Sequence, residues 1–205
     1  MPGEKPIPAA PGLFLREFIR SFRLTASVAP SSRFLTAALC EPLDFDKARV
    51  IAEFGPGTGP VTNGILARMH PDAVLYAIDM NPVFIDHLKR SCKDKRLLPV
   101  LGSAADLNQI VGGASEGCVD AVVSSLGLTS MDNRLRRSIY DQVKQCLRPG
   151  GVLTQYQYAT SKAGCKIARS DFDERRFLES YFDKVTTKWV LANFPPACVF
   201  TCVKA

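Results

Sequence analysis

A chain of 205 residues with 46% hydrophobic and 22% charged side chains is too apolar and too weakly charged to stay disordered. It is also long enough to bury a sizeable core in one domain. Twenty-six Lys and Arg against 20 Asp and Glu leave a net charge of +6. That mild excess suits an acidic partner, nucleic acid or an anionic membrane surface, without choosing between them. The seven cysteines are widely spaced and include no C-x-x-C pair, which argues against a disulfide framework or a structural metal and for a reducing cytoplasm. No apolar run reaches the roughly 18–20 residues that crossing a bilayer requires.

Residues 1–12 are Pro-rich and read as a disordered lead-in rather than a signal peptide. The remainder, 13–205, reads as one domain, with a helical N-terminal element over 13–40 and a core over 48–205. In the segment Leu13–Leu24, Phe14, Leu15, Phe18, Ile19 and Phe22 recur at helical spacing, with Arg16, Glu17, Arg20 and Ser21 on the other face. A short helix is expected over Ser31–Leu39, after the start signal Pro30-Ser31-Ser32.

From Ala48 onward strands and helices alternate. The expected strands are Ala48–Phe54, Ala73–Asp79, Leu97–Leu101, Val119–Leu126 and Val152–Tyr158, with helices over Thr58–Met69, Pro82–Cys92 and Asn133–Leu147. The strands are almost uniformly apolar, as in a parallel sheet covered by helices on both faces. A polar helix near Phe172–Tyr181 then precedes Val185–Phe194 and Cys198–Val203, which Pro195-Pro196 joins as an antiparallel hairpin at the end of the sheet.

The most informative stretch is Glu53-Phe54-Gly55-Pro56-Gly57-Thr58-Gly59, where the first strand hands over to the first helix. Glycines there permit backbone angles closed to other residues and let a ligand approach the main chain. The second strand ends in Asp79, about 20 residues past the last glycine, where a carboxylate can accept both hydroxyls of a ribose. Two cofactor classes fit, a dinucleotide or S-adenosylmethionine. A dinucleotide site would read G-x-G-x-x-G. Here the glycines read G-P-G-T-G, followed by Val61 and Thr62, with Glu53 two residues before them. A carboxylate near that point suits the cationic end of S-adenosylmethionine better than a pyrophosphate.

The set E-F-G-P-G-T-G, A-I-D-M-N and L-R-P-G-G resembles the class I S-adenosylmethionine-dependent methyltransferases over about residues 48–158. The resemblance implies an α/β fold: a Rossmann-like, seven-stranded, mostly parallel sheet with an antiparallel terminal hairpin, helices on both faces and an N-terminal helical extension. It implies S-adenosyl-L-methionine as cofactor and no metal. Glu53, Gly55, Gly57 and Gly59 would form the methionine pocket, with Pro56 and Thr58 counted with them as cofactor-binding. Asp79 would bind the ribose and Met80 would pack on adenine. Ser103 and Ala104 stand where the family often has an acid for the adenine amino group, so that contact falls to the Ser103 hydroxyl or to backbone. Ser124, at the end of the fourth strand, is counted with the cofactor-binding residues.

Two branches compete for the acceptor. The start E-F-G-P-G-T-G-P-V-T also resembles rRNA adenine dimethyltransferases, but their N-L-P-Y-like tetrad is missing after the fourth strand, where the chain reads Ser124-Ser125-Leu126-Gly127. Asn193-Phe194-Pro195-Pro196 is superficially similar to that tetrad but lies in the terminal hairpin. The chain is more similar to the bacterial phospholipid N-methyltransferases, which methylate phosphatidylethanolamine. That resemblance rests on Ser27–Leu35, Val122–Met131, Gln155–Tyr158 and Asn193–Val199. It implies a phospholipid substrate and an enzyme that is cytoplasmic and peripherally membrane-associated. A small-molecule acceptor and a non-catalytic cofactor binder remain as alternatives.

A lipid acceptor gives the Leu13–Leu24 segment two roles, a lid over the cofactor or a helix lying in an anionic interface with Arg16, Arg20 and Arg23 at the headgroups. Tyr156 and Tyr158 share one strand face near the C-terminal edge, where aromatic rings can hold a methylated ammonium. With Asn193 they form the candidate catalytic set; Ser124 and Ser125 are further candidates for headgroup contacts. His70 and His87 read as surface residues, and no general base is assigned.

Overall fold

The computed structural model describes residues 32–113, 117–158 and 172–205. The segment Leu13–Leu24 and the lead-in before it lie outside the described residues. The first described helix is α1, Arg33–Cys40. Its cap is Ser32, whose hydroxyl accepts from the Leu35 N–H at 3.3 Å, satisfying a first-turn donor that has no partner within the helix.

The expected alternation follows: β1 (Val50–Phe54), α2 (Pro60–Leu66), β2 (Val74–Asp79), α3 (Pro82–Ser91) and β3 (Leu97–Leu101). Next come a short helix the sequence reading missed, α4 (Leu107–Ile110), then β4 (Val119–Ser124), α5 (Asn133–Cys146) and β5 (Leu147–Tyr158). The chain closes with α6 (Glu174–Glu179), β6 (Lys184–Val190) and β7 (Ala197–Val203). Side chains of Asn81, Asp132 and Asp173 cap α3, α5 and α6. Helix α2 instead starts from Gly59, with Pro60 at its first position and no side-chain cap.

The seven strands form one sheet in the order β3-β2-β1-β4-β5-β7-β6. The first five run parallel. Strand β7 runs antiparallel to both β5 and β6, so the last strand in sequence lies inside the sheet and β6 is its edge. Composition explains the placement. Strand β7 is apolar and almost wholly buried, whereas β6 carries exposed Lys184, Thr186, Thr187 and Lys188, the charged and polar residues that keep an open edge from pairing with another chain.

Helices cover both faces, each over its own core. Leu35, Ile65 and Leu88 from α1, α2 and α3 pack with Leu75 and Val123 on one face. Leu107, Tyr140, Val143 and Leu178 from α4, α5 and α6 pack with Val122 and Leu153 on the other. Helices α1 and α2 cross closely because residue 64 is glycine: a Cβ there would stand 2.2 Å from the Thr36 methyl.

Strand register fixes which ends meet. Phe54 lies beside Ser124 and Ser124 beside Gln155. Tyr158 lies beside Ala197 and Ala197 beside Val190. The C-terminal ends of the parallel strands and the β6–β7 turn therefore share one edge of the sheet, the edge on which ligands bind in open α/β folds.

Candidate active site

At that edge β1 leaves the sheet into the glycine turn. Gly55, Gly57 and Gly59 have φ of +68°, +56° and +90°, the left-handed region that costs other residues strain. Each is glycine for a different reason. A Cβ on Gly59 would stand 2.9 Å from a Leu88 methyl, so its absence lets α3 pack. One on Gly55 would press at 3.3 Å on Leu126 in the turn after β4. One on Gly57 would meet nothing within 4 Å; this glycine faces open space that a ligand can fill. Pro56 is buried and its carbonyl accepts from Gly59 N–H at 2.9 Å, closing the turn, while Thr58 is exposed.

Glu53, wholly buried, stands beneath this turn. Its Oε2 accepts from the Thr62 hydroxyl at 2.7 Å, while Oε1 is sealed from solvent and has no partner. Burial pushes its pKa from 4.5 up to about 8, and the Asp79 charge adds to the rise, against the opposing bond from Thr62. A buried acceptor with an open lone pair costs free energy until a donor arrives. Thr62 was not singled out for this role, though its place in the first turn of α2 points it back at the end of β1.

Asp79 ends β2 across the turn. Its Oδ1 accepts from Asn81 N–H at 2.8 Å and its Oδ2 from Gly57 N–H at 3.4 Å. Burial raises its pKa while these backbone bonds oppose the rise. An ionised carboxylate offers about four acceptor positions, so two remain for a diol. Met80 follows it and Leu101 pairs beside it in the register, 47% and 57% exposed. Ser103 caps the short turn Ala104–Asp106, its Oγ accepting from Ala105 N–H at 3.1 Å, and Ala104 is buried.

From the other side, Ser124 is buried and its Oγ accepts from Leu126 N–H at 3.4 Å, while Ser125 N–H donates to the Phe54 carbonyl at 2.9 Å. The turn that follows is held by a residue the sequence did not mark for the purpose. Gln155, wholly buried, donates from Nε2 to the carbonyls of Leu126 and Tyr156, each at 2.8 Å, and its Oε1 accepts from the Tyr140 hydroxyl at 3.3 Å. No local pattern announces such a bridge between α5, β5 and the turn after β4.

Tyr156 and Tyr158 do share one face, edge to face with ring centroids 5.2 Å apart. They pack half-buried on the core beneath α1, on the opposite side of the sheet from α6. Asn193 is buried; its Oδ1 accepts from Ser32 N–H at 3.3 Å and its Nδ2 donates to the Pro195 carbonyl at 2.6 Å. It ties the start of α1 to the β6–β7 turn. His87 is exposed on α3, and His70 follows the end of α2 that lies away from Gly59.

S-Adenosylmethionine fits these residues: an unpartnered buried carboxylate oxygen for a cationic group, open space at Gly57, and a half-occupied carboxylate at Asp79 for the ribose. Residues 51–151 match the methyltransferase domain family. The chain is 32% identical to the ornithine lipid N-methyltransferase of Singulisphaera acidiphila, over 93% of this chain and 94% of that one.

The chain belongs to the S-adenosylmethionine-dependent methyltransferases.

Other members differ in acceptor. The ribosomal RNA small subunit methyltransferase H of Desulfosudis oleivorans is 29% identical over 42% of this chain and 28% of its own. The solved 1,6-didemethyltoxoflavin-N1-methyltransferase of Burkholderia thailandensis, bound to its substrate and S-adenosylhomocysteine, superposes with a TM-score of 0.67 at 19% identity. It covers 100% of this chain and 94% of its own, and shows the shared fold. When bound, the cofactor of this methyltransferase supplies an electrophilic methyl group on a sulfonium.

Proposed function

We propose that this methyltransferase methylates the amine of a membrane-lipid headgroup. The observation that carries this reading is the likeness to the ornithine lipid N-methyltransferase, which spans 93% of the chain and so includes the acceptor side of the sheet as well as the cofactor side. Phosphatidylethanolamine, which the sequence resemblance favours, and an ornithine lipid both present an amine to the same chemistry.

The chain's residues divide the work. Glu53 holds the cationic end of the cofactor, Gly55, Pro56, Gly57, Thr58 and Gly59 shape its bed, and Asp79 takes the ribose hydroxyls. Met80 flanks the adenine, Ser103 and Ala104 border it, and Ser124 closes the pocket floor. The acceptor nitrogen attacks only as a neutral amine, in line with the methyl–sulfur bond, so alignment and exclusion of water are the main contributions. Gln155 fixes the turn that borders the acceptor. The rings of Tyr156 and Tyr158 stabilise the ammonium formed, by cation–π attraction. Asn193 positions the start of α1 over the acceptor side. The Leu13–Leu24 segment, with its Phe and Arg residues, supplies a peripheral contact with an anionic membrane. No helix among the described residues is long and apolar enough to cross one.

The test is transfer of labelled methyl groups to phosphatidylethanolamine and to ornithine lipid in mixed micelles. Label on the amine of either supports the reading and names the acceptor. Labelling of a soluble amine with neither lipid modified overturns it.

A further inference from the structure

Near the edge of the sheet that carries the glycine turn, large apolar side chains are exposed. Phe194 is 88% exposed, Leu191 75%, Trp189 59% and Phe34 44%. Scattered singly, such residues are ordinary. Here they are contiguous. Leu191 and Phe194 lie in one turn between β6 and β7. Leu191 and Phe34 line one groove. Asn193 bonds that turn to Ser32, the cap of the helix that bears Phe34. Contiguous exposed apolar surface marks a place of contact.

Charge identifies the contact. From residue 184 to residue 205 the chain has no Asp or Glu; of its lysines, Lys188 lies near the turn, while Lys184 and Lys204 stand at the opposite end of the β6–β7 pair. Helix α1 has Arg33 and no acid, and the Arg33 guanidinium lies 4.8 Å over the Phe34 ring. The Glu41 carboxylate at the other end of α1 is engaged by Lys188. Apolar tips with the Arg33 guanidinium among them, and with no acid, complement an interface of anionic headgroups over hydrocarbon. Behind the tips runs a groove of about 720 Å³ between α1 and β6, lined by Phe34, Ala37, Leu43, Phe45, Val190 and Leu191. Its walls are mostly apolar; Arg68 and the Glu41–Lys188 ion pair also line it.

We infer that the start of α1 and the β6–β7 turn form the surface by which the protein enters an anionic lipid bilayer, its groove receiving an acyl chain. The inference rests on the lipid reading above and locates the bilayer relative to the site: the sheet stands with its catalytic edge toward the membrane, so the headgroup amine meets the cleft from the side of Phe34 and Phe194. This contact belongs to the folded core and is separate from any made by the Leu13–Leu24 segment.

Trp189 is the only tryptophan in the chain, so its fluorescence reports on this rim and on no other membrane contact. The full chain is mixed with vesicles of phosphatidylglycerol and phosphatidylcholine, with and without doxyl-labelled lipid. Trp189 emission shifts to the blue and is quenched by the label. The double variant Leu191→Ser/Phe194→Ser binds these vesicles about tenfold or more weakly. It retains cofactor binding and retains methyl transfer to a water-soluble short-chain form of the lipid amine. An unquenched Trp189 together with unchanged vesicle binding of the variant overturns the inference. So does a blue shift that follows protein concentration without vesicles, which assigns the rim to a second copy. Quenching on vesicles with no methyl transfer to any lipid amine leaves the rim standing and removes the lipid reading.

Discussion

On the β1–β2 side of the edge where the parallel strands end, the groups of the candidate site are ionisable and buried or nearly so: Glu53 with one oxygen unpartnered, and Asp79 bonded to Gly57 and Asn81. On the β5–β7 side they are aromatic or aliphatic. Tyr156 and Tyr158 are half-buried there; Leu191 and Phe194 stand in solvent on the rim, outside the cleft. The first side recognises by a few short polar bonds, where deleting one atom leaves a buried group unsatisfied. The second recognises by area, where contributions are small and shared. Relatives named for a lipid, an RNA and a small-molecule acceptor match this chain or its fold, as expected when one side is fixed by a common cofactor and the other is left to vary.

The largest effect should follow from the polar side. Asp79→Ala removes both remaining acceptor positions for the ribose, and S-adenosylhomocysteine should bind roughly a hundredfold more weakly, as expected for two hydrogen bonds to a charged group. Calorimetry showing unchanged binding would break the contrast at its strongest point. Gly57→Val comes next. The Cβ it adds would meet no protein atom within 4 Å, so the protein should still fold, at a cost of about 1–2 kcal/mol for the left-handed backbone. The new side chain occupies the cofactor's space, and affinity should fall about thirtyfold beyond that. Equal losses in stability and affinity would show that the opening at Gly57 holds nothing.

The contrast also explains what the sequence discloses. The glycine turn, Asp79 and the alternation of strands and helices are local patterns, set by backbone geometry within a few residues, and they stand in the structure where the spacing puts them. The contacts that finish the acceptor side are not local. Asn193 reaches Ser32 across 161 residues, and Gln155 reaches the turn 29 residues earlier. Either side chain would look the same in sequence if it faced solvent. Helix α4 was missed because Leu107–Ile110 is a single turn, too short to show a period. The interior place of β7 was legible in principle, since Ala197–Val203 is apolar where Lys184–Val190 is not.

A smaller effect separates the two sides by pH. The Glu53 carboxyl is held near a pKa of about 8 by burial, against an ordinary value of 4.5. Below about pH 8 the unliganded protein therefore keeps this group protonated, whereas a cationic ligand favours the carboxylate. Binding then expels a proton, and affinity for S-adenosylhomocysteine should rise by up to tenfold per pH unit between about pH 6 and about pH 8, then level off. Glu53→Gln should flatten this slope, and calorimetry in buffers of different ionisation enthalpy counts the proton directly. The stability of the unliganded protein should move the other way. The unfolded chain releases the proton near 4.5 and the native one only near 8, so stability declines as pH rises between those values. A pH-independent affinity in the wild type would mean that Glu53 faces no cation.

The smallest effect tests whether the acceptor side is held in place apart from the cofactor. Asn193→Ala removes the acceptor of Ser32 N–H and the donor to the Pro195 carbonyl. Two neutral hydrogen bonds at a partly buried site are worth about 1–2 kcal/mol together, and the thermal midpoint should fall by a few degrees. Because Asn193 bonds α1 to the β6–β7 turn and nothing in the glycine cradle, S-adenosylhomocysteine should bind with unchanged affinity. If Asn193 positions the start of α1, the apparent KM for the lipid should rise while kcat holds, and Asn193→Asp, which keeps the acceptor for Ser32, should restore part of the loss. A fall in kcat with KM unchanged would instead place the amide against the reacting nitrogen. The contrast between a side built on short bonds and a side built on area would then fail at Asn193, a polar residue buried beside the exposed apolar rim.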